Sequence, residues 1–293
     1  FAATAAGAYR STDGGVSWTQ IQASPGTDWT PTGLAVSPGY PADATLFTAW
    51  QRHSPEEARL CRSTDGGTTW SNLWITPTLR VLDISPGFAS DGTLFAAGNG
   101  NEVYRSTNRG DTWTLSNAGI DPGFIASDLA ISPDYANDGA IFLAGFGPLY
   151  RSTDRGLHWT PLSGSHGPNY GVAVSPHYGS DRTVIVTYRE MEGSGVVPES
   201  GVFRSTDGGA TWAYTGLGLP GFYEPFPGPV AFSPGYAANR TVYVADMGSD
   251  FRGPRQVFRS VDGGQTWTAL PSPPAARSRS GPGQAPPGPD RAR

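Results

Sequence analysis

Short runs of alternating apolar and polar residues recur along this chain in a fixed order. One run has the form apolar-x-apolar-Ser-Pro and occurs at residues 34–38, 82–86, 129–133, 172–176 and 230–234. A turn containing Asp or Asn follows each of them, and then a second apolar run such as residues 93–95 or 241–243. Runs this short, bounded by turn residues, predict half-buried β-strands.

A third run ends in Arg and leads into an octet with the pattern Ser-x-Asp/Asn-x-Gly-x-x-Trp. The octet occurs six times, at residues 11–18, 63–70, 106–113, 152–159, 205–212 and 260–267. An Asp side chain can accept neighbouring backbone N–H groups and Gly allows positive φ, so the octet predicts a hairpin turn. We expect the Trp to be a buried wedge between neighbouring sheets. We assign structural roles to this Trp and to the Asp or Asn of each octet: Asp13, Asp65, Asn108, Asp154, Asp207, Asp262, Trp18, Trp70, Trp113, Trp159, Trp212 and Trp267.

Each repeat therefore contains four predicted strands, A to D, with the octet joining C to D. Successive octets begin 43 to 55 residues apart, which matches the period of about 40–50 residues in propeller blades. The sequence predicts an all-β protein, a β-propeller of six four-stranded blades. Phe1 aligns with Phe142, so the first blade is expected to enter at strand B and to lack its innermost strand.

The octet resembles the Asp-box, or BNR, repeat of a β-propeller family that includes sialidases, xyloglucan-type glycosidases, sortilin-type receptors and photosystem II assembly factors. The resemblance extends from Phe1 to Leu270. It implies a propeller fold and implies little about activity, because the box is a structural turn in those families.

The predicted propeller spans residues 1–270, with blades at about 1–28, 29–76, 77–121, 122–164, 165–218 and 219–270. Residues 271–293 contain seven Pro among Ser, Gly and Arg, which predicts a disordered tail or linker. We expect further sequence upstream of Phe1 and a further module beyond the linker.

Spacing within the repeats separates a scaffold from a candidate site. The A–B and C–D intervals are constant, whereas the B–C and D–A intervals vary. In an up-and-down meander the two constant turns lie on one face of the disc and the two variable loops on the other. Loops on a rigid scaffold are where binding residues concentrate. We therefore expect any ligand on the B–C/D–A face, called here the loop face.

Aromatic, acidic and Arg side chains in these loops suit a sugar or peptide ligand. The candidate ligand-binding residues on the loop face are Trp29, Arg52, His53, Glu56, Phe124, His166, Tyr170, Arg189, Glu190, Tyr223, Glu224, Asp246 and Arg252.

Catalysis is the alternative to binding. The resemblance to sialidases would imply an Arg triad, a Tyr–Glu pair and a Phe-Arg-Ile-Pro motif before the first box. The nearest string here is Phe-Arg-Gly-Pro at residues 251–254, in the last blade. A glycoside hydrolase of another kind would need a pair of carboxylates about 5–10 Å apart. The candidates for it are Asp83, Glu190, Glu192, Glu224 and Asp246. Asp83 stands where strand A of the other blades has Ala.

Composition narrows the range of partners and cofactors that this protein could bind. The net charge is −5, with 20 Arg and no Lys, so we expect no nucleic-acid partner. Cys61 is the single cysteine and the four His lack metal-ligand spacing, so we expect no metal and no cofactor. No apolar run reaches the ~20 residues of a membrane helix. We expect a bacterial, extracytoplasmic, monomeric propeller within a longer chain: a non-catalytic binding or scaffold module for protein or glycan, or alternatively a glycoside hydrolase.

Overall fold

The structure is a computed structural model that describes residues 1–54, 56–76, 78–164, 167–188, 201–216, 227–246 and 256–271. These residues form six antiparallel sheets. Each sheet follows chain order from its inner strand to its outer strand, as an up-and-down meander requires.

The first three blades contain eleven strands. Blade one has β1 (Ala2–Thr4), β2 (Gly7–Arg10) and β3 (Thr19–Ala23). Blade two has β4 (Trp29–Val36), β5 (Leu46–His53), β6 (Glu56–Ser63) and β7 (Ser71–Thr76). Blade three has β8 (Val81–Ile84), β9 (Leu94–Ala97), β10 (Val103–Ser106) and β11 (Thr114–Leu115).

The last three blades contain twelve strands. Blade four has β12 (Ala126–Ile131), β13 (Ile141–Gly145), β14 (Tyr150–Ser152) and β15 (Thr160–Pro161). Blade five has β16 (Asn169–Val174), β17 (Val184–Tyr188), β18 (Gly201–Ser205) and β19 (Ala213–Tyr214). Blade six has β20 (Pro227–Phe232), β21 (Val242–Asp246), β22 (Gln256–Ser260) and β23 (Thr268–Ala269).

The predicted fold is confirmed. The motifs assigned to strands A to D fall on the four strands of blades two to six, and the inner strands of these consecutive blades contact one another from β4 to β20. Blade one has three strands, and its β1 pairs only with β2 among the described strands, as the alignment of Phe1 predicts.

The A–B turns of blades three to six each contain a single helical turn that the sequence did not predict: α1 (Phe88–Asp91), α2 (Tyr135–Asp138), α3 (Tyr178–Asp181) and α4 (Tyr236–Asn239). In α2 the hydroxyl of Ser132 donates to Oδ2 of Asp138 at 2.7 Å, and Oδ1 accepts the amide of Ala140 at 2.8 Å. This Asp therefore ties the end of strand A to the start of strand B, which explains why Asp or Asn recurs there.

Neighbouring blades meet through one recurring set of contacts, called here the inter-blade joint. In it the strand-B side chain of one blade packs edge-on against the aromatic ring in the next A–B turn. The ring centroids are 5.7 Å apart for Phe47 and Phe88, 6.3 Å for Phe95 and Tyr135, and 5.7 Å for Phe142 and Tyr178. The strand-B residues Phe47, Phe95, Phe142 and Ile185 are fully buried.

The octet of the next blade completes the joint. A Cβ added to Gly156 would lie 2.6 Å from Cε1 of Phe95, so this position excludes any larger residue. The strand-C Arg of one blade donates to the following octet, as Nη1 of Arg151 does to the carbonyl of Gly208 at 2.7 Å. These Arg side chains are thus structural.

The octet Trp side chains also lie at the joints, but their burial varies. Trp159 is 3% exposed and donates from Nε1 to the carbonyl of Ser116 at 2.7 Å. Trp70, Trp113, Trp212 and Trp267 are half-buried. The prediction of a buried wedge is wrong for Trp18, which is 47% exposed. Among the described residues, a Cβ added to Gly15 beside it would meet only the Trp18 ring, whereas the equivalent glycine of each other box lies against the preceding blade.

Candidate functional site

The Asp-box turns use their polar groups internally. In the second box, Ser63 donates from its hydroxyl to Oδ1 of Asp65 at 2.8 Å and accepts the amide of Gly67 at 2.8 Å. Asp65 also accepts the amide and the hydroxyl of Thr69, at 2.9 and 2.6 Å. The same contacts recur in the other boxes, and Asn108 makes the equivalent bonds to Ser106 and Thr112 in the third.

These hydrogen bonds keep the box carboxylates ionised. The hydroxyl and amide of Thr69 lower the pKa of Asp65 to about 2, and those of Thr211 do the same for Asp207. For Asp154 and Asp262, burial works in the opposite direction but the hydrogen bonds outweigh it, and the pKa is again about 2. A carboxylate held this way is a poor proton donor, so the boxes are scaffold.

Blade two has the longest described hairpin on the loop face, since β5 and β6 each have eight residues. Trp29 pairs across the sheet with Arg52, and Arg52 pairs with Glu57. Residues opposite each other in an antiparallel pair point to the same side. Arg59, two residues beyond Glu57, shares that side. With Asp28, these residues form what we call the arginine–tryptophan cluster.

Contacts within the cluster hold both guanidinium groups in place. Their central carbons lie 5.2 Å (Arg52) and 4.6 Å (Arg59) from the centroid of the Trp29 ring, within cation–π range. Glu57 accepts from Nη2 of Arg52 and, at 3.0 Å, from Nε of Arg59. Oδ2 of Asp28 is 3.9 Å from Nε of Arg52.

The cluster retains donors that can bind a ligand. A guanidinium group carries five N–H donors in a planar fork, and each Arg here uses one in a hydrogen bond to Glu57. The side chains of Arg52 and Arg59 are 25% and 34% exposed. This geometry suits carboxylates, backbone carbonyls or other planar acceptors on a ligand.

Two aromatic residues predicted to bind a ligand, Trp29 and Phe124, are buried in the structure. Trp29 is 3% exposed and lies beneath the two guanidinium groups, so it positions Arg52 and Arg59 and offers no free ring face. Phe124 is 2% exposed and packs edge-on against Tyr150 in the core at 5.0 Å. Phe124 lies in a D–A loop as predicted, whereas Trp29 is the first residue of strand β4, and neither is a surface platform.

An aromatic pair that sequence reasoning missed lies on the same face. Phe146, in the short B–C turn of blade four, is 43% exposed and packs edge-on against Tyr170 of β16 at 5.5 Å. Tyr170 was predicted, but Phe146 was not because its turn is short. An apolar residue beside Gly and Pro in a tight turn is the signal that could have found it. Behind the pair, the Oδ1 of buried Asn169 has no hydrogen-bond partner among the described residues.

Asp83 links two inner strands instead of facing a ligand. Its carboxylate accepts the amides of Ile84 at 2.8 Å and, from the next blade, of Ile131 at 3.3 Å. Asp128, which sequence analysis did not single out, links β12 to β16 by accepting the amide of Val172 at 2.9 Å. Both residues are half-buried.

Loss of hydration at these inner strands raises the pKa of Asp83 to about 7 and that of Asp128 to about 6. The charge of Asp128 contributes to the shift of Asp83. With a pKa of about 7, Asp83 can hold a proton near neutral pH. The two backbone amides that its carboxylate accepts nevertheless indicate a structural role, in which Asp83 links two neighbouring blades.

The remaining predicted site residues divide into two groups. Within the described residues, Glu56 is exposed at the tip of the blade-two hairpin and pairs with His53 in register, whereas Asp246 is 2% exposed at the end of β21. Seven others lie outside the described residues: His166, Arg189, Glu190, Glu192, Tyr223, Glu224 and Arg252.

None of the helices in the described part of the chain is long and apolar enough to cross a membrane. The same residues include no group of three or more His, Cys, Asp or Glu side chains placed to hold a metal ion.

Solved structures with the same architecture cover most of the chain. A GH74 xyloglucanase from Xanthomonas campestris has a TM-score of 0.67 at 21% identity, over 92% of this chain and 43% of its own. YCF48 from Cyanidioschyzon merolae has a TM-score of 0.58 at 17% identity, over 92% of this chain and 79% of its own. YCF48 bound to D1 peptide has a TM-score of 0.57 at 16% identity, over 88% and 73%. The chain spans less than half the length of the GH74 enzymes it resembles.

The fold and its six boxes define an Asp-box β-propeller. The family model for sortilin, neurotensin receptor 3 (Sortilin-Vps10) matches residues 101–216, and no curated protein matches significantly. The matched residues are less than half of the chain, so what the comparisons show is a β-propeller fold like that of the GH74 enzymes and YCF48. A fold shared by hydrolases and binding proteins does not define an activity, so the site must be argued from its own residues.

Proposed function

We propose that this propeller is a non-catalytic, extracytoplasmic binding module that recognises a protein or peptide segment on its loop face. The arginine–tryptophan cluster carries the proposal. It holds Arg52 and Arg59 on a rigid hairpin with unused, partly exposed donors. Arg and aromatic side chains held in this way dominate the energetics of protein interfaces.

A peptide fits the described residues better than a glycan does. Sugar rings are commonly bound on an open aromatic face, and the face of Trp29 is covered by its own arginines. The Phe146–Tyr170 pair adds an exposed apolar contact on the same face. The structure of YCF48 with D1 peptide concerns that protein, but it supports the idea that a propeller of this architecture can hold a peptide.

The alternative is a glycoside hydrolase, an activity found among GH74 enzymes that share the propeller fold. Of its candidate carboxylates, Asp83 accepts two backbone amides and Asp246 is buried. The others, Glu190, Glu192 and Glu224, lie outside the described residues. The hydrolase alternative therefore depends on these three Glu residues, and the proposal of peptide binding does not.

A peptide-display selection tests the proposal. Random peptides are selected on the wild-type protein and then measured against a variant with Arg52→Lys and Arg59→Lys, which keeps the charge and removes the planar forks. We expect binding to weaken tenfold or more, as for the loss of about 1.4 kcal/mol. Arg80→Lys is the matched control, because Arg80 is an exposed arginine of the same face bonded to Asn99.

Two results would contradict the proposal. Selected peptides that bind the double variant and the wild type equally would exclude the cluster as the anchor. Turnover of a chromogenic glycoside panel that is lost in Glu190→Gln or Glu224→Gln would establish the hydrolase alternative. Thermal unfolding of each variant confirms that the comparison is between folded proteins.

A further inference from the structure

The B–C turn of blade three contains an Asn-Gly pair, Asn99-Gly100, and the sequence has no other. The turn joins β9 to β10 and lies on the loop face. Asparagine followed by glycine is prone to deamidation, because the backbone nitrogen of the glycine can attack the side-chain carbonyl carbon and no Cβ obstructs its approach. In a folded protein, the reactivity of such a pair depends on the hydrogen bonds that its atoms make.

The attacking atom, the backbone nitrogen of Gly100, is accessible. Gly100 is exposed, and its N–H makes no hydrogen bond with any described residue. Beyond the chain neighbours of Gly100, a Cβ built on it would meet only the carbonyl oxygen of Pro122, at 3.9 Å. Within the described part of the chain, no hydrogen bond therefore has to break before this nitrogen approaches Cγ of Asn99.

The side-chain carbonyl of Asn99 is held by a guanidinium group. Nε of Arg80 donates to Oδ1 of Asn99 at 2.6 Å. Because an N–H donor requires an acceptor, oxygen is the amide atom that faces Arg80. The amide nitrogen of Asn99, which is the leaving group in deamidation, makes no hydrogen bond with the described residues. A positively charged donor polarises the C=O bond and stabilises the negative charge that develops on the oxygen when the carbon is attacked.

The loop that enters blade three fixes the turn and Arg80 relative to each other. Asn99 donates its backbone amide to Oγ1 of Thr78 at 3.0 Å, and the hydroxyl of Thr78 donates to Glu102 at 3.1 Å. Two residues further along, the backbone amide of Arg80 donates to the carbonyl of Ala97 at 2.9 Å. The contact between Arg80 and Asn99 is therefore set by the backbone on both sides.

We propose that Asn99 is a site of self-deamidation and that Arg80 assists the reaction by holding the side-chain oxygen. The nitrogen of Gly100 gives up its proton and bonds to Cγ of Asn99, the Cγ–Nδ2 bond breaks, and the nitrogen leaves as ammonia. The five-membered succinimide that results takes up one water molecule, which opens the ring to aspartate or isoaspartate. The reaction thus consumes one water and releases one ammonia, and it needs no oxidant or reductant.

The reaction adds one negative charge to the loop face as the protein ages. It replaces a neutral amide with a carboxylate beside Arg80, which is an exposed cation of that face. An ion pair with the new carboxylate then takes the place of the hydrogen bond from Arg80 to the amide. Because no enzyme is required, the contact with Arg80 sets the pace of this change.

Ageing of the folded protein tests this proposal. Wild type and Arg80→Ala are kept in mildly alkaline buffer, and peptide mass spectrometry follows the replacement of NH2 by OH at each Asn. We expect Asn99 to convert about tenfold faster than Asn101, which lies in the same turn but precedes Glu102. Arg80→Ala should slow the conversion of Asn99 about tenfold, because the developing oxyanion loses a charged donor. The matched control, Arg155→Ala, removes an exposed arginine of the turn face and should change nothing.

Either of two results would overturn the proposal. Conversion of Asn99 no faster than that of Asn101 would show that the folded turn protects the pair. Equal conversion of Asn99 in wild type and Arg80→Ala would remove Arg80 from the reaction. Asn99→Asp supplies the chromatographic standard for the aspartate product, and thermal unfolding shows that each variant is folded during the incubation.

Discussion

The face formed by the A–B and C–D turns and the loop face differ in how their polar groups are used. On the turn face, Ser63 and Asp65 direct their hydrogen bonds into the turn itself. On the loop face, Glu57 holds Arg52 and Arg59 in place while their side chains stay 25% and 34% exposed. Polar groups that repeat in every blade are therefore used in hydrogen bonds within the fold, whereas polar groups in the variable loops can bind a ligand. Mutations on the two faces should separate stability from binding.

The largest expected effect is a substitution on the turn face. Gly156→Ala places a Cβ 2.6 Å from Phe95 at a residue with φ of 85°, and should destabilise the protein by about 2–4 kcal/mol. The control is Gly123→Ala on the loop face, where an added Cβ meets nothing within 4 Å. Urea unfolding measures both free energies. Equal effects would contradict the distinction between the faces.

A smaller effect is expected from the box hydroxyl. Ser152 is 1% exposed, donates to Asp154 and accepts the amide of Gly156 at 2.8 Å. Ser152→Ala leaves these groups without a partner and should cost about 1–3 kcal/mol of unfolding free energy. Ser163→Ala, at an exposed serine of the loop face, should stay within about 0.5 kcal/mol of wild type. A box variant as stable as wild type would show that water replaces the hydroxyl.

The pH dependence of stability should distinguish the turn face from the inner strands. Burial raises the pKa of Asp83 to about 7, above its ordinary value of 3.8. Between about pH 4 and 7 the folded state then binds more protons than the unfolded state, and stability falls as the pH rises. Asp83→Asn should flatten that slope, as measured by Tm across pH 4–8.

The matched control for this titration has the opposite sign. Hydrogen bonds from Thr211 lower the pKa of Asp207 to about 2, so its contribution is present above pH 4 and lost as the pH falls from 4 to 2. Asp207→Asn should change the acid limb and leave the neutral slope intact. Identical slopes in wild type and Asp83→Asn would show that Asp83 titrates normally.

The smallest effect on stability is expected in the arginine–tryptophan cluster. Arg59→Ala removes a cation–π contact with Trp29 and an ion pair with Glu57, both partly exposed, and should cost at most about 1 kcal/mol. Urea unfolding checks this value, with Arg80→Ala as control. A loss above about 3 kcal/mol would place the cluster in the scaffold and remove it from the candidate binding site.

The sequence predicted the repeating parts of this molecule well. Constant spacing around the octets located strands A to D and the missing strand of blade one. The spacing is constant because the same positions of each repeat pack against the neighbouring blades. The burial of Trp18 was predicted wrongly, since it depends on a neighbouring blade that the octet itself cannot reveal.

The candidate site was predicted less completely. The loop-face residues do not repeat, so the sequence placed Phe124 on the correct loop but gave neither its burial nor that of Trp29, which begins strand β4. Asp128 and Phe146 were missed because no motif marks them. Their roles arise from contacts between blades, with Val172 and Tyr170 respectively.

The inter-blade joint also has a consequence for how the chain unfolds. Each blade contacts its immediate neighbours, so stability is approximately a sum of blade terms and nearest-neighbour coupling terms, as in a one-dimensional array. Among the described residues, Phe95 of blade three and Phe142 of blade four pack against the next blade, whereas Trp18 of blade one and the strand-B residue Tyr243 of blade six are 47% and 37% exposed. Opening should therefore begin at the two ends of the array and move inward, and amide exchange should be fastest in β1 and β23 and slowest in β9 and β13.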